Sequence, residues 1–433
     1  MEENMKVDLM IIKAKELVTV SGASRPRTGS EMDEINVIPD GAIAIVEDRI
    51  IDLGPTAEIV QKYPHPHKLI NAENKVVMPG FVDPHTHPVF KETRENEFEM
   101  RLKGKSYVEI STSGGGIRSS IQGVRETSAD RLFQLAVKRI KKMILNGTTT
   151  LEAKSGYGLS TESEIKMLKI IRRLNEELPI DIVATFLGAH EFPVEYKDDK
   201  NGYINLLINE MLPEIKKLNL AEYCDIFTEE HVFTIEQSRR ILKRAKELGY
   251  KIRMHADEIQ PIGGASLAGE IRAVSADHLG ATSDKGITAL KENGIIGTLL
   301  PATIFSLGLN TYARARDMIT AGVPIALATD FNPGSSNCDS MQFINTLACL
   351  KMRMTPAEAI TASTINAAYS LDRGDEVGSL EIGKKADIIV LDMPSYQYLS
   401  YHIGSSSVET VIKNGKIIKK NKPSENYPEG LPK

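Results

Sequence analysis

The chain has 433 residues, 41% of them hydrophobic and 26% charged, with 32 glycines and 20 prolines, a globular composition that excludes a disordered or fibrous protein. With 53 Lys and Arg against 58 Asp and Glu, the net charge of −5 gives no positive field to hold nucleic acid or an anionic membrane. Three cysteines, Cys224, Cys338 and Cys349, without CxxC spacing argue against both a disulfide framework and a thiolate metal cluster.

The amino terminus, Met1-Glu2-Glu3-Asn4-Met5-Lys6, lacks the cationic start and apolar run of a signal peptide. No stretch approaches the roughly 18 consecutive apolar residues of a membrane span. A cytoplasmic protein is expected. Residues 8–20 and 42–53 are short runs rich in Ile and Val, broken by turn residues, and the same texture returns at 387–392 and 408–418. Asn414-Gly415, between Val411-Ile412-Lys413 and Lys416-Ile417-Ile418, predicts a hairpin turn because both residues accept positive φ. Segments 1–76 and 381–433 are therefore read as one small β-sandwich domain assembled from both chain ends.

Across 77–380 apolar strand-like runs alternate with segments of helical period. Strands are predicted at 77–83, 148–153, 182–188, 224–228, 251–255, 273–278, 295–300 and 324–329. Helical faces lie between them, such as Leu132, Leu135, Ala136, Ile140, Met143 and Ile144 before Gly147, and Ile165, Leu168, Ile171, Leu174 and Leu178. Thr234 with Gln237 and Thr355 with Glu358 are capping boxes, the second with Pro356 at the first helical position. This alternation predicts an α/β fold of the TIM-type (β/α)8 barrel class. A doubly wound sheet is disfavoured, since no GxGxxG follows a strand and no GxxxxGK[ST] occurs.

Barrel active sites lie at the carboxyl ends of the strands. There the first strand runs into Asp83-Pro84-His85-Thr86-His87, the third into Gly188-Ala189-His190, the fifth into His255-Ala256-Asp257-Glu258, the sixth ends in Asp277-His278, and the eighth in Thr329-Asp330. Five of the nine histidines thus fall at predicted strand ends. His85 and His87, two apart on extended backbone, project to one side and can reach one ion. His65-Pro66-His67 has the same spacing but follows no apolar strand, so it serves as an internal control and is not read as ligating. His255 and Asp330 would complete a three-nitrogen, one-oxygen set that leaves a position for water.

Gly80-Phe81-Val82-Asp83-Pro84-His85-Thr86-His87, His255-Ala256-Asp257-Glu258, Thr329-Asp330 and the tail Gly378-Ser379-Leu380-Glu381-Ile382-Gly383-Lys384-Lys385-Ala386-Asp387 resemble the amidohydrolase superfamily in its single-metal form. Arg94-Glu95-Asn96-Glu97-Phe98, Gly114-Gly115-Gly116-Ile117, Lys154-Ser155-Gly156-Tyr157-Gly158-Leu159, Gly188-Ala189-His190 and Asp330-Phe331-Asn332-Pro333 narrow the resemblance. They are similar to the branch that opens the imidazolone ring in histidine degradation. The resemblance implies one divalent metal per chain, zinc or iron, held by His85, His87, His255 and Asp330. It also implies substrate contacts from Arg94, Tyr157, His190, Glu258, Asn332, Gly334 and Ser335. The implied substrate is the small molecule imidazolonepropionate (4-imidazolone-5-propanoate), and the product is N-formimidoyl-L-glutamate.

Chemically, a divalent metal lowers the pKa of water toward about 7 and supplies a nucleophile for the ring carbonyl. Asp330 can orient that nucleophile, while Glu258 and His278 divide proton transfer and oxyanion stabilisation between them. The Arg94 guanidinium suits the propionate carboxylate. Lys91-Glu92-Thr93 stands where small residues are expected before that arginine, which puts its loop at risk of crowding or tilting. Tyr157, between two glycines, is read either as carried by a flexible loop onto the substrate or as an aromatic lid residue, and Gly114-Gly115-Gly116 as a mobile loop rather than a phosphate cradle. Lys154 is not the modified bridging lysine of two-metal relatives, which belongs after a later strand. The alternative activity is that of a sibling amidohydrolase deaminating a purine or pyrimidine, although a neutral base would leave Arg94 without a carboxylate. A homodimer is the expected assembly.

Overall fold

The computed structural model describes residues 6–105 and 115–420. Residues 1–5 and Gly114, on which the readings of the amino terminus and of the triple glycine partly fall, lie outside the described residues. Two eight-stranded sheets organise the chain. One is built from β1 (Leu9–Val18), β2 (Val37–Val46), β3 (Arg49–Pro55), β4 (Lys68–Asn71) and β5 (Val76–Pro79), which come from the amino-terminal side. The other, the barrel sheet, takes the next eight strands: β6 (Phe81–Asp83), β7 (Thr148–Lys154), β8 (Asp181–Ala189), β9 (Tyr223–Thr228), β10 (Lys251–Ala256), β11 (Ser275–His278), β12 (Ile296–Leu299) and β13 (Ile325–Leu327). The chain then returns to the first sheet with β14 (Ile388–Leu391), β15 (Val408–Lys413) and β16 (Lys416–Lys420).

The first sheet runs β16-β15-β14-β5-β1-β2-β3, with β4 also paired to β1. It is the small β domain expected from both chain ends. Its Ile- and Val-rich strands bury Leu9, Ile11, Leu17, Ile43, Ile45, Val77, Ile388, Val390 and Ile412 in a core of their own. The β15–β16 turn has φ of 48° at Asn414 and 71° at Gly415, both positive as a two-residue hairpin turn requires.

In the barrel the strands follow chain order from β6 to β13, and every neighbouring pair is parallel. That is the (β/α)8 arrangement predicted from the alternation. Amphipathic helices cover it. Ala129–Leu145 starts at a Ser128 cap and turns Leu132, Ala136, Ile140 and Met143 inward, while Ile235–Glu247 and Pro356–Ser363 begin at the two predicted capping boxes.

One expectation is corrected. The strand read as continuous over 77–83 is two strands in two sheets: β5 pairs with β1 and β14, and β6 pairs with β7. The change of sheet falls at Gly80, whose N–H donates to Asp387 O (3.0 Å) while the next N–H, of Phe81, donates to Gly147 O (3.0 Å). A Cβ at Gly80 would collide with the Thr149 side chain, so the crossing point requires glycine.

Closure of the barrel is made beyond the strands proper. Asp83 accepts from Thr329 N (3.0 Å) and Thr329 Oγ1 (2.6 Å), and Asp330 N donates to His85 O (3.1 Å). His87 N donates to Phe331 O (2.8 Å), and Thr86 and Phe331 form a parallel bridge. The seam therefore sets His85, His87 and Asp330 side by side. Among the described residues no helix is long and apolar enough to cross a membrane. All three cysteines are free thiols.

Candidate functional site

At the carboxyl end of the barrel the predicted histidines meet. His85 and His87 Nε2 lie 3.3 Å apart, and each is 3.6 Å from Asp330 Oδ1. His255 and His278 pack beside His85 as well, with ring centroids 4.5 and 5.4 Å from its ring. Two overlapping sets, His85 with His87 and Asp330, and His85 with His255 and His278, have one ligand atom each within 4.8 Å of one another. His65 and His67 belong to neither, and both are exposed on the small domain.

The proton positions explain why such a cluster attracts a cation. His85 Nδ1 lies 2.7 Å from Asp277 Oδ2, and His255 Nδ1 lies 3.0 Å from Asp225 Oδ2. A carboxylate at Nδ1 fixes the hydrogen there and leaves a lone pair on Nε2. The Nε2 lone pairs so left on His85 and His255, with the Asp330 carboxylate 3.6 Å from His85 Nε2, are suited to a positive charge. Burial holds His85, His87 and His278 well below the usual imidazole pKa, so they are neutral and able to donate lone pairs. His255 departs from this pattern: burial opposes its charge, but Asp225 outweighs burial and raises it. Three imidazoles and a carboxylate, all buried, fit a divalent metal ion.

The carboxylates behind the histidines share two buried cations. Lys154 Nζ binds Glu152 Oε1 (2.8 Å) and Asp225 Oδ2 (2.7 Å) and lies 3.9 Å from Asp277 Oδ2. Arg253 Nη2 reaches Asp277 Oδ2 at 3.1 Å, and its Nε lies 3.2 Å from Glu152 Oε1. All five side chains are fully buried. Lys154 is thus an ion-pair partner of these carboxylates. Sequence reasoning missed Asp225, Asp277, Glu152 and Arg253 as parts of the site. A signal was present: Glu152-x-Lys154, Arg253-x-His255 and Ser275-x-Asp277 place polar residues two apart inside apolar strands, which aims each pair at the barrel interior.

Two of the central residues are in uncommon backbone conformations, with φ of 52° at Asp330 and 74° at His278. Non-glycine residues held at positive φ concentrate at functional sites. Asp330 Oδ2 accepts from Thr303 Oγ1 (2.6 Å), and burial raises its pKa to about 6. Glu258 Oε2 lies 3.5 Å from His278 Nδ1. Burial, reinforced by the Asp330 charge, pushes the Glu258 carboxyl up to about 8.

Around this centre stand the predicted substrate residues. Tyr157 is buried, its ring 5.8 Å from that of His87 and 5.3 Å from that of His190. His190 stacks on His87 at 5.4 Å, and its Nδ1 lies 3.0 Å from Gly156 O. The glycines flanking Tyr157 fit a fixed loop better than a flexible one. Gly156 has a φ of 104°, and a Cβ on Gly158 would stand 2.7–2.8 Å from the backbone of Ser163 and Glu164. Arg94 is seated on Gly334, where any Cβ would overlap the guanidinium, and its N–H donates to Pro333 O (2.8 Å). Its charge acts on both Tyr157 and His190.

The approach to the Lys91-Glu92-Thr93 stretch is anchored as far as Lys91, because Arg139 donates to the carbonyls of Pro88 (3.0 Å), Phe90 (2.6 Å) and Lys91 (3.2 Å). Asn332 uses its amide on its own loop. Oδ1 accepts from Gly334 N (2.8 Å) and Ser335 N (2.8 Å), and Nδ2 donates to Ser335 Oγ (2.9 Å). Of the triple glycine, Gly116 has a φ of 75°, and its N–H is bound by Glu97 Oε1 (2.7 Å) at the start of the helix Ile117–Glu126.

Residues 76–418 match the amidohydrolase family. The imidazolonepropionase of Clostridium tetani (strain Massachusetts / E88) is 48% identical over 419 residues, spanning 96% of this chain and 99% of the relative. That of Alkaliphilus oremlandii (strain OhILAs) is 46% identical over 416 residues, spanning 96% and 98%. Among solved structures, a zinc-bound adenosine deaminase from Xanthomonas campestris superposes with a TM-score of 0.72 at 18% identity over 96% of this chain and 94% of that one. The A. niger ochratoxinase superposes at 0.68 and 17% over 96% of each. These two establish a shared fold. Taken together, the sequence match along nearly the whole chain and the barrel that carries this buried centre place the chain in the amidohydrolase family, within its imidazolonepropionase branch.

Proposed function

We propose that the protein hydrolyses imidazolonepropionate to N-formimidoyl-L-glutamate, breaking a cyclic amide C–N bond. The observation that carries this reading is one barrel end holding both a buried His and Asp cluster able to take a divalent ion and, at its rim, an arginine suited to a carboxylate. The imidazolonepropionase relatives favour it over the deaminase alternative.

His85, His87, His255 and Asp330 would hold one divalent metal, zinc or iron. When bound, such an ion supplies a water activated as a nucleophile near neutral pH and a positive charge beside the ring carbonyl. The remaining roles belong to the chain's own groups. Glu258, raised to about 8, carries its proton at neutral pH and donates it to the departing ring nitrogen. That protonated acid faces His278 Nδ1, which favours the tautomer with hydrogen on Nε2. In this reading His278 turns a donor toward the carbonyl oxygen, and the other four residues would hold the metal. Asp330 orients the attacking water and accepts its proton through Oδ1, while Thr303 donates to Oδ2.

At the rim Arg94 receives the propionate, with Gly334 and Ser335 lining its seat and Asn332 folding their loop. Tyr157 and His190 bound the ring. Reaction in the cytoplasm agrees with three unpaired cysteines.

Purified protein of measured metal content, incubated with imidazolonepropionate, should abolish the ring chromophore with stoichiometric formation of N-formimidoyl-L-glutamate. Failure of the metal-replete protein to do so, together with ammonia release from a purine or pyrimidine, would replace this reading with the deaminase one.

A further inference from the structure

The loop that carries Tyr157 is organised around a carboxylate with no part in the chemistry above. Glu164 lies in the first turn of the helix Thr161–Glu177 and is completely buried. Its Oε1 accepts from Gly158 N (2.8 Å) and Leu159 N (2.9 Å), and its Oε2 from Gly156 N (3.0 Å). These three N–H groups converge because Gly156 and Leu159 have φ of 104° and 50°, which folds the loop into a concave nest for an anion. From the other side Arg125 donates to the carbonyls of Gly158 (Nε, 2.7 Å) and Leu159 (Nη2, 3.0 Å).

A buried acid that fails to meet these N–H groups would leave several unsatisfied donors, so the arrangement is all-or-none. Tyr157 sits between the first two bonded positions. Its ring is packed against His87 and His190, and its hydroxyl has no hydrogen-bond partner among the described residues.

We infer that Glu164 is a positioning residue: its buried carboxylate gathers the N–H groups of Gly156, Gly158 and Leu159 and so fixes the Tyr157 hydroxyl at the height where substrate binds. The inference rests on the proposed contact between Tyr157 and substrate. Glu164 lies outside the ligand cluster, so its loss acts on the ring's seat and leaves the metal in place.

A double-mutant cycle tests this with the full chain. Tyr157→Phe should raise KM roughly threefold to tenfold, the range for one hydrogen bond. Glu164→Ala should raise KM by up to the same factor, with kcat within about threefold of wild type, metal content unchanged, and faster hydrogen exchange at the amides of Gly156, Gly158 and Leu159. Glu164→Gln, which keeps one accepting oxygen and is the milder change should the alanine variant fold poorly, should recover part of the loss. In the Tyr157→Phe background the Glu164 substitutions should add little to KM.

If Tyr157→Phe raises KM but the Glu164 effect is fully additive to it, Glu164 does not act through Tyr157 and the inference fails while the Tyr157 contact stands. If Tyr157→Phe leaves KM unchanged, the contact itself is wrong and the inference falls with it.

Discussion

Replacing Arg94 by Met should raise KM for imidazolonepropionate about 30-fold while the metal content stays at its wild-type value. A charge-assisted bidentate pair contributes about 1.5 to 3 kcal/mol. The Arg94 side chain is 15% exposed, and Glu97 stands 3.7 Å from its Nε, so water and a competing carboxylate both weaken its hold on the substrate. Those two effects favour the lower half of the range, about 2 kcal/mol, and each 1.4 kcal/mol is roughly tenfold. Arg94→Lys should recover only part, because an ammonium cannot form the two-pronged pair.

The structure adds a second route to the same defect. Gly334→Ala keeps the charge but places a methyl group where the guanidinium lies, so it should raise KM with the arginine still present. The assay is steady-state loss of the ring chromophore, run with the natural substrate and with an analogue whose carboxylate is replaced by methyl. Equal discrimination between these two compounds by wild type and Arg94→Met would show that the carboxylate is read elsewhere, and the placement of Arg94 would be wrong.

Glu258→Gln should retain fold and metal while kcat falls by roughly two to four orders of magnitude, the usual range for a lost general acid. Because the acid form of Glu258 is the active one and its pKa is pushed up to about 8, kcat/KM should be sustained below that pH and decline as pH rises through it. A pH profile of the Gln variant should lack that limb. Asp225→Asn should weaken metal binding about 10- to 100-fold in a chelator competition, since it removes the carboxylate that holds His255 Nδ1; unchanged affinity would detach Asp225 from the centre. His65→Ala combined with His67→Ala should leave metal content unchanged, as measured by elemental analysis.

Much of the fold was legible because periodicity and caps are local signals. The capping boxes at Thr234 and Thr355, the Asn414-Gly415 turn and the strand-helix alternation each depend on residues a few positions apart. What escaped was the change of sheet at Gly80. Residues 76–82 are apolar on both sides of that glycine, and only the distant partners Asp387, Thr149 and Gly147 decide which sheet each half joins. The candidate site divides in the same manner. Histidines at strand ends stand out in sequence, whereas Asp225 and Asp277 acquire meaning only when Lys154 and Arg253, on other strands, are seen beside them. The glycines flanking Tyr157 suggest a flexible loop in sequence, yet they allow a tight and heavily bonded one.

The place of the cluster follows from how the barrel closes. β6 and β13 are short, three residues each, and form no regular ladder with one another. Asp83, raised to about 7 chiefly by burial, joins them through Thr329, and the next residues on both sides, His85 to His87 and Asp330 to Phe331, complete the seam with backbone bonds. Closing the barrel and assembling the His85, His87 and Asp330 group are therefore one structural event. A consequence is that ligand geometry is set by long-range closure rather than by the local His-x-His spacing alone. His65-Pro66-His67 has the spacing without the closure, and among the described residues it joins no group of three side chains able to share an ion.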